Sequence, residues 1–277
     1  MTQRRLSKLQ LGELELGLTP RDRAILEAIR TFRYMKTDQI RRLFFPQVTN
    51  SLQASKTAAL KKMNHFRAQG LVDHLPRQYN KQKYGAQMLI WHLTEAGQRL
   101  LDLHKDTDGK RHRYLEPSVV HLGHTLAVVE CYVQTTEICR TEPLLSLKAL
   151  RIEPECWRSY EKNTRSVSLR PDLYAETINS KYVDHWFIEM DLGTESMREI
   201  MQKCRRYHEY YQTNKEQHAI GVYPVVLWIV PDNARKEKMI QTIKETFSAR
   251  YAHIFLVITP DQYKGVLVEG AKMESLC

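Results

Sequence analysis

Apolar positions in the first hundred residues recur with helical spacing. From Leu18 they return every three or four residues, and Pro20 suits the first turn of a helix. Thr37 can cap a second, short helix that Pro46 stops, and a third helix is expected over about 54–69. The residues predicted to face inward are Ile25, Leu26, Ile29, Phe32, Ile40, Leu43, Phe44, Leu60, Met63 and Phe66.

Two strand patterns follow the third helix and flank a polar loop. They cover residues 71–75 and 88–93, and the sequence from Thr94 to Gly97 begins a further helix. Three helices, a hairpin and a closing helix are the order of a winged helix-turn-helix domain, whose third helix enters a DNA major groove. We therefore predict an N-terminal tail over 1–17 and a DNA-binding winged helix-turn-helix over 18–104, with docking of another protein as the alternative.

Basic and aromatic side chains mark the expected DNA contacts. They project from the third helix and from the hairpin loop, where they would meet phosphates or a minor groove, although a solvated hairpin tip would have a similar composition. The predicted contacts are Lys56, Lys61, Lys62, His65 and Arg67 on the helix, and Arg77, Tyr79, Lys81, Lys83 and Tyr84 in the loop.

Residues 105–118 are charged and almost free of apolar side chains, which predicts a linker before a second domain over 119–277. The second domain has the predicted order αβββαβαβ. Its late strands are continuously apolar, which indicates an α/β fold with a mixed sheet covered by helices on both faces. The first three strands are expected at about 144–153, 165–177 and 182–191, the next helix at about 196–212, and the last strand at 253–258.

Charge divides the 277 residues unevenly. Residues 1–115 contain 22 Lys and Arg against 10 Asp and Glu, whereas residues 116–277 contain 20 against 22. A basic domain joined to a near-neutral one is typical of nucleic-acid targeting coupled to a separate site.

The cysteines and the apolar runs exclude other classes of protein. The five cysteines form no C-x-x-C pair, which indicates reduced thiols. No run approaches about 18 consecutive apolar residues, and the N-terminus lacks a signal-peptide core. The expectation is a soluble cytoplasmic protein with no membrane partner.

Three carboxylates are the main candidate for chemistry. Asp172 follows a strand-like run, and Glu189 and Asp191 end the next one. Alternate strand residues share a face, so Glu189 and Asp191 would lie roughly 7 Å apart, with Asp172 beside them on a neighbouring strand. Crowded carboxylates favour a divalent cation, and hard oxygen ligands suit Mg²⁺ or Mn²⁺, which support phosphodiester chemistry.

This arrangement resembles the PD-(D/E)XK nuclease fold, which implies an aspartate and a second acid that bind metal and a lysine that orients water. Asp191 occupies the lysine position. Lys203, two turns into the following helix, could replace that lysine, with a solvated helix face as the alternative. Glu130, in the preceding helix, could supply another metal ligand.

A wider set of motifs resembles the replication-relaxation family of plasmid and mobile-element proteins. The set comprises Leu93-Thr94-Glu95-Ala96-Gly97, the helix from His121 to Val129, Arg170-Pro171-Asp172, and the run from Phe187 to Ser196. The resemblance covers about 18–260 and implies action at a replication or transfer origin, since some relatives nick DNA with carboxylates and a metal. It also places a histidine at His124, as a base or a DNA contact; an interior histidine is the alternative.

The run after the carboxylates has its own local interpretation. Gly193 permits a sharp exit from the strand, and Ser196 with Glu199 forms a capping box that starts a helix. Tyr207 and its neighbours Tyr210 and Tyr211 could serve as nucleophiles, but the His-x-His that tyrosine relaxases use is absent from the chain.

The leading hypothesis is a DNA-binding nickase or relaxase in which Asp172, Glu189, Asp191, Lys203 and His124 are catalytic. Asp172, Glu189, Asp191 and Glu130 would bind Mg²⁺ or Mn²⁺, and the partner is double-stranded DNA with an origin-like site. A non-catalytic initiator or regulator, which uses the nuclease-like domain for dimerisation or partner docking, is the alternative. An endonuclease that cuts both strands is a third. A homodimer and replication or transfer accessory proteins stay open.

Overall fold

The computed structural model describes residues 6–46, 51–76, 79, 89–104 and 117–270. The chain divides into two compact units, Met1–Val133 and Gln134–Cys277. The predicted linker at 105–118 lies almost wholly outside the described residues. The division falls instead within a helix, Val119–Thr141, whose first turns pack Leu122 and Leu126 into the core of the first unit.

The first unit contains six helices and a three-stranded sheet among its described residues. The sheet is antiparallel, with strand order β1–β3–β2. Its elements are α1 (Lys8–Leu16), α2 (Pro20–Phe32), β1 (Met35–Lys36), α3 (Thr37–Phe44), α4 (Leu52–Ala68), β2 (Val72–His74), β3 (Ile90–Leu93), α5 (Glu95–Leu101) and α6 (Val119–Thr141), which continues into the second unit.

Local capping explains where these helices begin. Thr19 and Asp22 form a capping box at the start of α2, where Pro20 is the first helical residue. Thr94 caps α5. Within the predicted tail over 1–17, Ser7 forms a capping box with Gln10 and starts α1.

Leu60 was expected to face inward, but it is 40% exposed. The reason is helical phase: the face of α4 that packs inward is the one formed by Ser55, Ala59, Met63 and Phe66.

The second unit is built on a five-stranded mixed sheet of order β10–β9–β8–β7–β4. Strands β4, β7 and β8 are antiparallel, whereas β8, β9 and β10 are parallel. The elements are β4 (Ser146–Ile152), β5 (Arg158–Lys162), β6 (Arg165–Leu169), β7 (Leu173–Ile178), β8 (Val183–Met190), α7 (Met197–Gln212), α8 (Lys215–Ile220), β9 (Val225–Ile229), α9 (Asn233–Thr246), α10 (Ala249–Ala252), β10 (Phe255–Ile258) and α11 (Tyr263–Glu269).

The single strand predicted at 165–177 is two strands in different sheets. Strand β6 pairs only with β5 in a separate two-stranded sheet, and β7 joins the main sheet. Pro171 lies at the break, where it has no backbone N–H for a ladder. The main sheet is buried as its apolar pattern predicts: five consecutive residues of β8 and the last four of β9 are buried.

Gly97 is the residue of α5 that packs most tightly against backbone. A Cβ at this position would lie 2.1 Å from the Leu71 carbonyl oxygen. We expect Gly97→Ala to destabilise the protein by about 2 kcal/mol, because the strand and the helix would have to separate. Urea unfolding measures this. Gly12→Ala is the matched control, since nothing lies within 4 Å of its added Cβ, and it should leave stability unchanged or raise it. Equal effects of the two changes would contradict the close packing.

Candidate functional site at the ends of strands β7 and β8

Asp172 and Glu189 meet where β7 begins and β8 ends. The β7–β8 ladder pairs Leu173 with Ile188, so the next residues along, Asp172 and Glu189, face the same end of the sheet. The backbone N–H of Met190 donates to Asp172 Oδ2 at 2.8 Å. Both carboxylates are buried. The predicted proximity of these two acids is therefore present in the structure.

Two side chains of α7 hold the Glu189 carboxylate. The Tyr207 hydroxyl donates to Oε1 at 2.6 Å, and Lys203 Nζ donates to Oε2 at 3.3 Å. Burial raises the pKa of Glu189 to about 8, with the Asp172 charge as a second cause, and the contacts from Lys203 and Tyr207 offset only part of this. The site thus favours the protonated form of Glu189.

Lys203 is the predicted residue that the structure brings to the carboxylate. Burial alone would lower the pKa of Lys203, but the charges of Glu189, Glu195 and Asp172 outweigh it and raise that pKa well above its ordinary value. Its Nζ also donates to Glu195 Oε1 at 2.9 Å and lies 5.7 Å from the centre of the Trp228 ring. An ammonium group is therefore fixed beside Glu189.

Asp191 is engaged elsewhere. Arg235 binds both its oxygens, through Nε at 2.7 Å and Nη2 at 3.2 Å, and the Gly193 N–H donates to Oδ1 at 2.8 Å. Among the described residues, no three His, Cys, Asp or Glu side chains group in a way that could hold a metal ion. The expected three-carboxylate group is therefore not formed there, because Asp191 pairs with arginine.

The strand exit after Asp191 follows local rules. Gly193 has φ 76°, as the sharp turn requires, and Ser196 with Glu199 forms the predicted capping box. Arg235 Nη2 also donates to the Glu195 carbonyl at 2.6 Å. The loop is thereby fixed so that Glu195 reaches Lys203.

The other two predicted site residues lie on α6, in its first-unit part. Glu130 accepts hydrogen bonds there from Arg42 and, at 3.2 Å, from Gln39 Nε2. His124 is half-buried on the same helix. The roles of both residues stay predictions.

Helix α4 presents most of its predicted DNA contacts to solvent: Lys56, Lys61, His65 and Arg67 are exposed. Lys62 was expected to project outward, but it is half-buried and pairs with Asp22 at 2.8 Å. Arg67 pairs with Asp73 at 2.9 Å.

Four of the five predicted loop contacts lie outside the described residues: Arg77, Lys81, Lys83 and Tyr84. Tyr79 is described, and it packs against the apolar cluster around Leu75 while its hydroxyl donates to the Pro117 carbonyl at 3.2 Å. That side chain is held against the protein.

The Asp172–Glu189 pair fits part of a divalent-cation site. Mg²⁺ is commonly held by one or two carboxylates, with waters and substrate phosphates completing its shell. Two buried carboxylates, one with a raised pKa, are a donor set of this kind. The fit depends on oxygen atoms from a phosphate substrate and from water.

The fold and the site define a two-unit α/β protein with a buried carboxylate pair and a lysine at the end of a mixed sheet. The chain belongs to the replication-relaxation family, which matches residues 26–226. Membership associates it with replication or relaxation of plasmids and other mobile elements. No curated protein and no solved structure matches it. In the part of the chain that the structure describes, no helix is long and apolar enough to cross a membrane.

Sequence reasoning missed the role of Arg235. It comes from α9, 44 residues after its partner Asp191, and only its place three residues after the Asp232 N-cap signals a first-turn position. The sequence pattern suggests Tyr207 as a nucleophile, whereas in the structure its hydroxyl donates to Glu189. Helical spacing of Lys203 and Tyr207, four residues apart, places both on one face.

The raised pKa of Glu189 predicts a pH-dependent stability. The folded state holds this proton up to about pH 8, above the ordinary value of 4.5, so wild-type stability falls as pH rises between those values. Glu189→Gln removes the titration. We expect its melting temperature, measured in EDTA, to rise relative to wild type from pH 5 to pH 8.

Glu176 supplies the matched control for that change. Burial alone would raise its pKa, but hydrogen bonds from Lys148 and Tyr174 outweigh it and lower the pKa. Glu176→Gln should therefore lose stability relative to wild type as pH rises through the acidic range. The same pH trend in both variants would contradict this assignment.

The Asp191–Arg235 pair predicts a second stability effect. Arg235→Ala leaves the Asp191 carboxylate, 1% exposed, without its charge partner, so we expect a loss of about 3 kcal/mol in urea unfolding. Arg235→Lys should recover only part, because an ammonium cannot make the two-pronged contact. The control is Arg198→Ala, an exposed arginine of α7, expected to change stability by less than about 0.5 kcal/mol. Similar losses of stability in the two alanine variants would contradict a stabilising role of the Asp191–Arg235 ion pair.

Proposed function

We propose that this protein is a metal-dependent DNA nickase or relaxase of a plasmid or another mobile element, which acts at a replication or transfer origin. The observation that carries the proposal is the Lys203 ammonium group 3.3 Å from Glu189, beside Asp172. These residues supply two metal-binding carboxylates and a lysine, which are the chemical groups of a PD-(D/E)XK nuclease. The lysine comes from α7 instead of the strand position that Asp191 occupies.

The topology of the second unit supports this assignment. Three antiparallel strands, β4, β7 and β8, lead into α7, and β9 then joins β8 in parallel. This order is compatible with the α-β-β-β-α-β core of the nuclease fold, with the β5–β6 hairpin inserted before β7. The position of Asp172 and Glu189 at the ends of β7 and β8 supports the proposal.

The first unit supports DNA binding. Its order α2, β1, α3, α4, β2, β3, with the sheet β1–β3–β2, is compatible with a winged helix-turn-helix. Helix α4 is the recognition helix in this arrangement, and Lys56 and Lys61 on it are exposed. Duplex DNA is therefore the proposed partner.

Asp172 and Glu189 would hold Mg²⁺ or Mn²⁺, which supplies Lewis-acid stabilisation of the phosphate charge. Tyr207 holds Glu189 in place through its hydroxyl. Lys203 keeps its proton, so its ammonium can donate to an attacking water or to a phosphate oxygen. Glu195, through its contact with Lys203 Nζ, orients that ammonium.

Supercoiled plasmid that carries the element's own origin tests the proposal. Wild-type protein with Mn²⁺ or Mg²⁺ should give open circles, and Asp172→Asn and Lys203→Ala should reduce nicking at least 100-fold while duplex binding stays within a few-fold. Arg205→Ala is the matched control, since it removes an exposed positive charge from the same helix, and it should nick like wild type.

The outcomes separate the candidate functions. Nicking by Lys203→Ala at the wild-type rate would rule out the lysine role, and linear product would indicate cleavage of both strands. Tight origin binding without nicking would favour a non-catalytic initiator or regulator. The engagement of Glu189 by Lys203 and Tyr207 supports that second candidate, because such a cluster can persist as a structural element.

A further inference from the structure

The exposed side of α4 carries an uncharged stripe with basic residues on either side of it. Its buried face is formed by Ser55, Ala59, Met63 and Phe66. At about 100° per residue, four uncharged positions on the exposed side of the helix follow one stripe between Lys56 and Lys61. We call it the reading stripe: Gln53, Thr57, Leu60 and Asn64, all exposed.

The edges of the reading stripe are basic. Lys56 and Arg67 lie on one side of it and Lys61 and His65 on the other, by the same helical phase. An open depression of about 580 Å³ lies beside Lys61 and His65, and the side chain of Arg21 also lines it. Positive charge therefore borders both sides of a neutral strip.

This distribution is complementary to a DNA major groove. Phosphates run along both walls of the groove and attract the charged edges, while the floor presents base edges that are read by neutral hydrogen-bonding and apolar groups. A helix segment of eleven steps spans roughly 16 Å, the length of four or five base pairs. The polar side chains of the stripe make no hydrogen bond to any other described residue, so their donors and acceptors remain open to a ligand.

We propose that the reading stripe determines sequence specificity and that its target contains A·T pairs. The side-chain amides of Gln53 and Asn64 match the paired acceptor and donor of adenine, N7 and N6, in the major groove. Leu60, 40% exposed at the centre of the stripe, suits contact with a thymine methyl group. The inference rests on the proposed DNA binding and adds to it the residues and the bases.

Selection of bound duplexes from a random library, with the full-length protein, tests it. Wild type should enrich a short site with A·T pairs. Asn64→Ala should bind that site about tenfold more weakly and lose the preference at one position, while its affinity for unrelated duplex stays unchanged. Gln53→Ala should relax a different position.

Lys61→Ala is the contrasting control. It removes a charge from the edge, so affinity should fall alike for all sequences and with a shallower dependence on salt. Melting temperatures of the variants should match wild type, since every changed side chain is exposed.

Two results would overturn the proposal in distinguishable ways. Unchanged affinity and unchanged base preference in both Asn64→Ala and Gln53→Ala would show that the reading stripe does not determine specificity, while the proposed DNA binding would stand. Absence of any duplex binding by wild type would contradict both the stripe proposal and the proposed function.

Discussion

Burial of the Glu189 carboxylate at the end of a packed sheet is the constraint on which the second unit depends. A carboxylate without solvent must be paired or protonated, and here a lysine, a tyrosine and a neighbouring aspartate surround it. Helix α7 must therefore sit where Lys203 and Tyr207 both reach the strand end. The capping box at Ser196 determines where that helix starts, and so a local motif sets the geometry of a buried charge.

The acidic residues after β8 have separate roles that follow from position. Glu189 lies inside the strand and faces the half-buried Lys203. Asp191 lies just past the strand end and binds Arg235, which in turn holds the Glu195 carbonyl. Glu195 then contacts Lys203. Strand, loop, α7 and α9 are thus linked through a chain of charged contacts, and in such a network the effect of removing one member depends on the others.

Local rules account for the parts of this site that the sequence predicts. The Gly193 turn, the capping box and the approach of Asp172 to Glu189 follow from backbone freedom, side-chain capping and antiparallel pairing. Asp191 shows where such rules end: alternation along a strand places it with Glu189, but β8 stops at Met190.

The long-range contacts behave differently. Arg235 lies on α9, far from Asp191 in the chain. No pattern of residues near Asp191 predicts the contact between the two side chains. The split of β6 from β7 was missed for a similar reason, because the two runs are continuous in β propensity and differ only in which sheet they join. Proline at 171 was the available signal.

Internal pairing engages three cations of the first unit. Lys62 is paired with Asp22, Arg67 with Asp73 and Arg30 with Asp102, and these three acids are already subtracted in the basic excess of the first unit. Nonspecific affinity scales with the phosphates neutralised. On α4, Lys56, Lys61 and His65 are exposed beside an uncharged strip. In the proposed DNA complex, these cations would contact phosphates and the uncharged strip would face the bases.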